Sequence, residues 1–317
     1  MRDIRQRNYT LGLPAALAAT ALWGFTFLGP AAVAPVNIYC LVVGRYAVFG
    51  ALSVVVLAIH RDKLRQLGMP NVLRAMHLGV VGYIGFYLLL SMSAEVAGGV
   101  LASTLTGLIP AMVALVSNSL EKALEWRRLV LSIVVMSGGL LLVNGGAGAL
   151  ASGDGHDTLV GTALGFAACV AWSYFVVVNG LLLRRARTPV DNTVWTACIG
   201  LGACCASVFL IPLARSAGGP SPFADTGTFW TFLAWCTVLA VLGSWCATWF
   251  WNIATRHLPT TLMGPVIGME AVFGALFNLM WEGRLPTFHE LWGGLLVMAG
   301  VFLCAYLFHR ARVAAAG

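Results

Sequence analysis

Apolar residues along this chain come in ten long runs, with polar residues confined to short stretches between them. The runs lie near 12–31, 36–59, 73–93, 97–119, 129–147, 159–182, 192–213, 229–254, 260–281 and 290–309. Each is close to the roughly 20 residues a helix needs to cross the hydrocarbon layer. The pattern therefore predicts an all-α integral membrane protein with ten transmembrane helices. The longest connections, near 147–158 and 214–228, have no room for a soluble catalytic domain.

Charge adds an orientation. The chain holds 19 Lys and Arg residues. Sixteen fall at the two ends or in the second, fourth, sixth and eighth connections, among them Arg61, Lys63, Arg65, Lys122, Arg127, Arg128, Arg184 and Arg256. The odd connections hold only Arg215 and Arg284, and Arg45 lies inside a span. Basic residues are retained in the cytoplasm during insertion, so both termini are expected there. The same placement disposes of the net charge of +7 as a nucleic-acid signal. The cations flank helices and form no single patch. With 59% hydrophobic and 10% charged residues, a water-soluble core protein is excluded.

The eight cysteines all fall within spans and show no metal-ligand spacing, so they read as packing residues, and no metal or other cofactor is expected. The N-terminal Arg residues, apolar run and Ala32-Val33-Ala34 mimic a cleavable signal peptide. The first span is kept because an internal repeat contains it.

That repeat is read from order. Leu108-Ile109-Pro110-Ala111 within the fourth span, then Glu121-Lys122-Ala123-Leu124 and Met136-Ser137-Gly138, match Met269-Glu270-Ala271-Val272 within the ninth, then Glu282-Gly283-Arg284-Leu285 and Met298-Ala299-Gly300. Trp23-Gly24-Phe25 in the first span matches Trp172-Ser173-Tyr174 in the sixth. The expected units are residues 1–147 and 159–317, joined by an extracytoplasmic linker at 148–158. Five spans per unit is an odd number, so the second unit enters the membrane from the opposite side. Two inverted copies of one fold are the physical basis of alternating access, which points to transport.

These residues resemble a known family. Arg45-Tyr46, Pro110 with Glu121, Trp251-Asn252 with Ala254, Leu258 and Pro259, Glu282, and Gly293-Gly294 with Met298-Ala299-Gly300 are similar to the drug/metabolite transporter superfamily, specifically its ten-helix EamA-type exporters. The resemblance implies that helices 1–4 and 6–9 surround a central cavity while 5 and 10 brace it. It also implies export of small amphipathic solutes: amino acids, metabolites or drugs. Glu270 stands where some amino-acid exporters carry Met-Glu-Pro, but here Ala271 replaces the Pro.

Several residues are candidates for the transport itself. Glu270 sits near mid-membrane, where a charge costs about 2.5–3.5 kcal/mol on the insertion scale. It would bind a substrate ammonium group, exchange protons, or serve in a structural ion pair. Arg45 would face an anionic group, pair with Glu270, or hold the structure. Pro110 and Gly264-Pro265 interrupt corresponding helices of the two halves, as hinges, gates or packing faces. Trp23, Trp172, Tyr83, Tyr87, Trp245 and Trp249 are candidate cavity rings for an aromatic or cationic solute. Trp126, Trp230, Trp281 and Trp292 suit an interfacial belt. His77 reads as an interfacial residue and Glu95 as a solvated one. Gly293 and Gly300 offer a face to the fifth helix or to a second protomer of a homodimer.

The partners expected are a small-molecule solute and the lipid bilayer. An uncoupled facilitator or channel is the alternative. An intramembrane enzyme is disfavoured because no Asp lies at depth and no Ser–His motif accompanies His77. No Walker A sequence is present for an ATP-driven pump.

Overall fold

The computed structural model describes residues 8–97, 99–122, 124–143, 155–185 and 190–314. Most of the expected linker, at 148–154, lies outside them. The chain is helical throughout these residues. Helix α1 spans Tyr9–Val33 and α2 spans Ile38–Ile59, followed by a short basic surface helix at Arg61–Leu67. Helix α3 is Met69–Ala97. Helix α4 is broken, running as Gly99–Thr106 and then Ile109–Glu121. Then come α5, Trp126–Val143, and α6, Gly155–Arg185. Helices α7, Asn192–Ser216, α8, Thr226–His257, α9, Thr260–Glu282, and α10, Phe288–Ala314, complete the order. Among the described residues eight helices are long and apolar enough to cross a membrane, and α4 and α5 are not among those eight.

Caps at the helix ends follow the sequence. The Asn37 side chain accepts from Cys40 N at the start of α2, Asp191 accepts from Thr193 N and Val194 N, and Asp225 accepts from Thr228 N. Each satisfies a donor that the first turn of a helix leaves unpaired. Helix α4 ends on Lys122 at φ 47° and α9 ends on Gly283 at φ 64°, the left-handed conformation that reverses the chain. The Asn118 side chain spans the α4–α5 turn, donating to Leu124 O and accepting from Leu124 N, both at 3.1 Å.

The helices pair as α1 with α8, α2 with α7, α3 with α6, α4 with α9, and α5 with α10. Exchanging every helix for the one five places later returns the same five pairs. Local irregularities follow the same exchange. The π-helical turns lie in α3 at Val80–Gly85 and in α8 at Leu239–Cys246. The breaks in α4 and α9 fall at Gly107-Leu108 and Gly268.

Glycines set the closest approaches. A Cβ at Gly264 would lie 2.6 Å from both Pro110 O and Ala114 N, so α9 meets α4 backbone to backbone at the two sequence breaks. A Cβ on Gly139 would lie 2.6 Å from Gly293 O, and one on Gly300 would lie 2.8 Å from Met136 Cβ. The glycine face of α10 is therefore taken by α5 of the same chain. Trp126, Trp230, Trp281 and Trp292 are each about half exposed, as a belt residue is. All eight cysteines are free thiols.

Candidate functional site

The breaks and wide turns converge on one cavity of about 770 Å³. Its walls come from the second half of α1, the first half of α2, the second half of α3, the first half of α4 and the second half of α9, with Leu140 of α5, Trp172 of α6 and Leu239 of α8. It opens at the end where the α1–α2 and α3–α4 connections lie, opposite the basic connections. Trp23, Tyr46 and Tyr83 at its inner end are buried, whereas Phe27, Pro30 and Glu95 near its mouth are exposed.

Glu270 lines this cavity from the first turn of the α9 segment Met269–Glu282. The break at Gly268 puts the carboxylate at a helix end inside the protein. Among the described residues no hydrogen bond or ion pair ties that carboxylate down. Arg45, one of whose possible roles was to pair with Glu270, interacts with it electrostatically but makes no ion-pair contact. Arg45 is 5% exposed, and its donors go to the protein: Nε to Ser244 Oγ at 2.8 Å, Nη2 to Gly243 O at 3.0 Å, and Nη1 to Tyr87 Oη at 3.5 Å. Its plane lies over the Tyr46 ring, 5.5 Å from the centroid. The two α8 acceptors lie in the π-helical turn, where the wider winding presents Gly243 O and Ser244 Oγ sideways to α2.

Aromatic rings pave the inner end. Trp23 and Trp172, from α1 and α6, meet edge to face at 5.3 Å. Trp23 also packs against Trp251 at 5.1 Å. Trp172 continues to Phe86 at 5.2 Å and Tyr83 at 5.9 Å. Tyr83 hydrogen-bonds Thr248 on α8, and Tyr87 faces Arg45. Trp23, Tyr83, Tyr87, Trp172 and Glu270 all line the cavity, together with Pro110. Trp249 does not. It donates to Thr193 Oγ1 at 3.3 Å and packs between α8 and the start of α7. Trp245 packs against Phe49 at 6.0 Å, also off the wall. Gly264 and Pro265 lie behind the wall, buried against α4.

The mouth holds a second carboxylate. Glu95, expected to be solvated, lines the cavity and accepts a hydrogen bond from Tyr39 Oη across the α2–α3 gap. Sequence reasoning missed this pair, and the only signal was an acidic residue at the end of an apolar run. His77 faces outward on α3, its Nε2 3.3 Å from Tyr174 Oη.

The opposite end is shut by a buried polar chain. Trp195 Nε1 donates to Asn179 Oδ1 at 2.8 Å, Asn179 Nδ2 to Asn252 Oδ1 at 2.8 Å, and Asn252 Nδ2 to Thr196 Oγ1 at 3.0 Å. Below it Arg184 donates to Thr255 O and Leu258 O at 3.3 and 3.2 Å, and to Thr260 Oγ1. These contacts join α6, α7, α8 and the start of α9. Among the described residues no cluster of His, Cys, Asp or Glu is arranged to hold a metal ion.

Comparison with known proteins agrees with this architecture. The inner membrane protein YtfF of Escherichia coli K12 is 26% identical over 313 residues, covering 92% of this chain and 94% of that protein. A solved crystal structure 17% identical in sequence superposes with a TM-score of 0.74, covering 95% of this chain and 98% of its own, which shows a shared fold. Residues 159–306 match the EamA-like transporter family. The second half of this integral membrane protein is thus similar to the EamA-like transporter family.

Proposed function

We propose that this protein is a secondary transporter that exports small amphipathic solutes, in the range of amino acids, metabolites and drugs, across a bacterial inner membrane. Helices α4 and α5 complete ten spans with both termini in the cytoplasm. Residues 1–147 and 159–317 act as inverted repeats joined by the linker 148–158. The pairing of helices, unchanged when the halves are exchanged, supports the repeat. The matching wide turns in α3 and α8 support it independently. With the basic connections inside, the cavity faces outward, in the state from which an exporter releases solute.

One observation carries the reading: an untethered carboxylate, Glu270, lines a cavity that is open at one end and closed at the other by a hydrogen-bonded chain. A carboxylate so placed can exchange a bound cation for a proton each time the closed end changes sides. Proton antiport follows from that exchange, and uncoupled facilitation is the alternative.

Efflux from preloaded proteoliposomes tests it. Saturable wild-type flux that responds to an imposed pH gradient and is lost in Glu270→Gln supports the antiporter. Saturable flux indifferent to both makes the protein a facilitator with a structural Glu270. Absence of flux for all three solute classes overturns the transport reading.

A further inference from the structure

The charges on the cavity wall are unbalanced in a way that bears on what it admits. The charged side chains lining it are Arg45, Glu95 and Glu270. An α-amino acid brings an ammonium and a carboxylate together, so a site for it needs a cation as well as an anion. Arg45 is the cation present, and it is engaged. Nε and Nη2 are spent on Ser244 and Gly243, Nη1 faces Tyr87, and one face covers Tyr46. Each of its three nitrogens already has a protein partner, so a carboxylate could not take both donors of a guanidinium edge without competing with one of them.

The acidic side is the reverse. Glu270 has no hydrogen-bond or ion-pair partner among the described residues. Glu95 has one neutral partner, Tyr39. The rest of the wall is mainly apolar or aromatic, with Thr26, Ser91, Thr106 and Asn278 as neutral polar members, a surface suited to a cation carried on a hydrophobic body. Two buried polar atoms on cavity-lining side chains, Trp23 Nε1 and Tyr46 Oη, also lack partners. They are neutral donors. They suit a hydroxyl or carbonyl oxygen and do not neutralise a carboxylate, whose burial without a counter-charge is far costlier than that of a neutral group.

We propose that the cavity selects organic cations without a carboxylate, namely amines on an aromatic or aliphatic body, and discriminates against zwitterionic amino acids. The inference rests on the transport reading for its biological sense and on the cavity alone for its chemistry. Glu270 is the inner station for the ammonium group. Glu95 with Tyr39 is the outer one, met as the solute leaves through the mouth.

Three solutes that differ only in charged groups decide the matter: 2-phenylethylamine, phenylalanine and 3-phenylpropionate. Their binding to the purified full-length protein is read by titration calorimetry and by quenching of tryptophan fluorescence. The expected result is phenylethylamine bound at least tenfold more tightly than phenylalanine, with phenylpropionate weakest. Glu270→Gln should weaken the amine at least tenfold and leave phenylpropionate no weaker. Glu95→Gln should weaken the amine by a smaller factor. Both variants should keep the wild-type unfolding midpoint, which separates lost binding from lost folding. Phenylalanine binding as tightly as the amine, or no binding of the amine, overturns the inference. The transport reading fails separately. Selective binding of the amine with no flux in proteoliposomes would sink transport and leave the charge preference standing.

Discussion

Arg45 on α2 and Ser244 on α8 are 199 positions apart in sequence, yet Nε donates to Oγ at 2.8 Å in a fully buried contact. Together with the Gly243 carbonyl this makes Arg45 a bolt between the two halves of the chain. Hydrogen bonds to charged groups contribute about 1.5–3 kcal/mol, and more when the loss leaves a buried group unpaired. Arg45→Lys keeps the charge but cannot reach both acceptors with a planar fork. Its thermal unfolding midpoint in detergent should fall by several degrees, and Ser244→Ala should produce a smaller drop. An unchanged midpoint for both would mean the contact is dispensable.

Glu270 should behave in the opposite way. Its carboxylate holds nothing in place, so Glu270→Gln should unfold at the wild-type temperature or slightly above it. Burying a neutral amide is less costly than burying a charge. Solute flux should nevertheless drop at least tenfold. A variant with full flux, or one that will not fold, contradicts the role given to this residue.

Gly264 is where α9 touches α4. A methyl there would sit 2.6 Å from the Pro110 carbonyl and the Ala114 amide, both backbone atoms that cannot swing aside. Gly264→Ala should destabilise by about 1–3 kcal/mol, the usual cost of forcing a methylene into a packed site. Gly294, which has open space around its Cβ position, is the control: Gly294→Ala should be near neutral. Thermal midpoints of the two variants make the comparison.

Asp191, just before α7, titrates outside the spans. Burial raises its pKa, but the hydrogen bond from Lys63 at 2.7 Å and those from Val194 N and Thr193 N outweigh this and hold it below the ordinary 3.8. A depressed carboxylate pKa gives stability that is complete above the unfolded value and lost as pH falls through the folded one. Asn caps a helix as well as Asp does but carries no charge. Wild type should therefore exceed Asp191→Asn in midpoint by a constant margin above about pH 5. The margin should close below pH 3.8. A margin that widens on acidification would reverse the assignment.

Much of the fold was legible because apolar length and basic flanks act one segment at a time. Glu270 was legible for a similar reason: a carboxylate inside an apolar run is conspicuous whatever surrounds it. Trp249 was misplaced because its whole span was assigned to the cavity, with no face distinguished within it. Within that span Trp251 takes the interior and Trp249 faces α7. The Tyr39–Glu95 pair and the Asn179–Asn252 pair were invisible for a different reason. Their members are 56 and 73 positions apart, and only tertiary packing brings them together. Glu95 is exposed, as its place at the end of an apolar run suggested, but its partner could not be seen.

The chain of Trp195, Asn179, Asn252 and Thr196 has a consequence for how readily the closed end reopens. Where that end is sealed by apolar side chains such as Leu258 and Leu262, parting the helices wets surface at roughly 25 cal/mol per Å² and opposes opening in proportion to area. Amide and hydroxyl partners instead trade one another for water at a net difference of about 1 kcal/mol per bond. That polar part of the barrier is firm while dry and cheap to hydrate, so it adds little to the cost of parting the helices at that end.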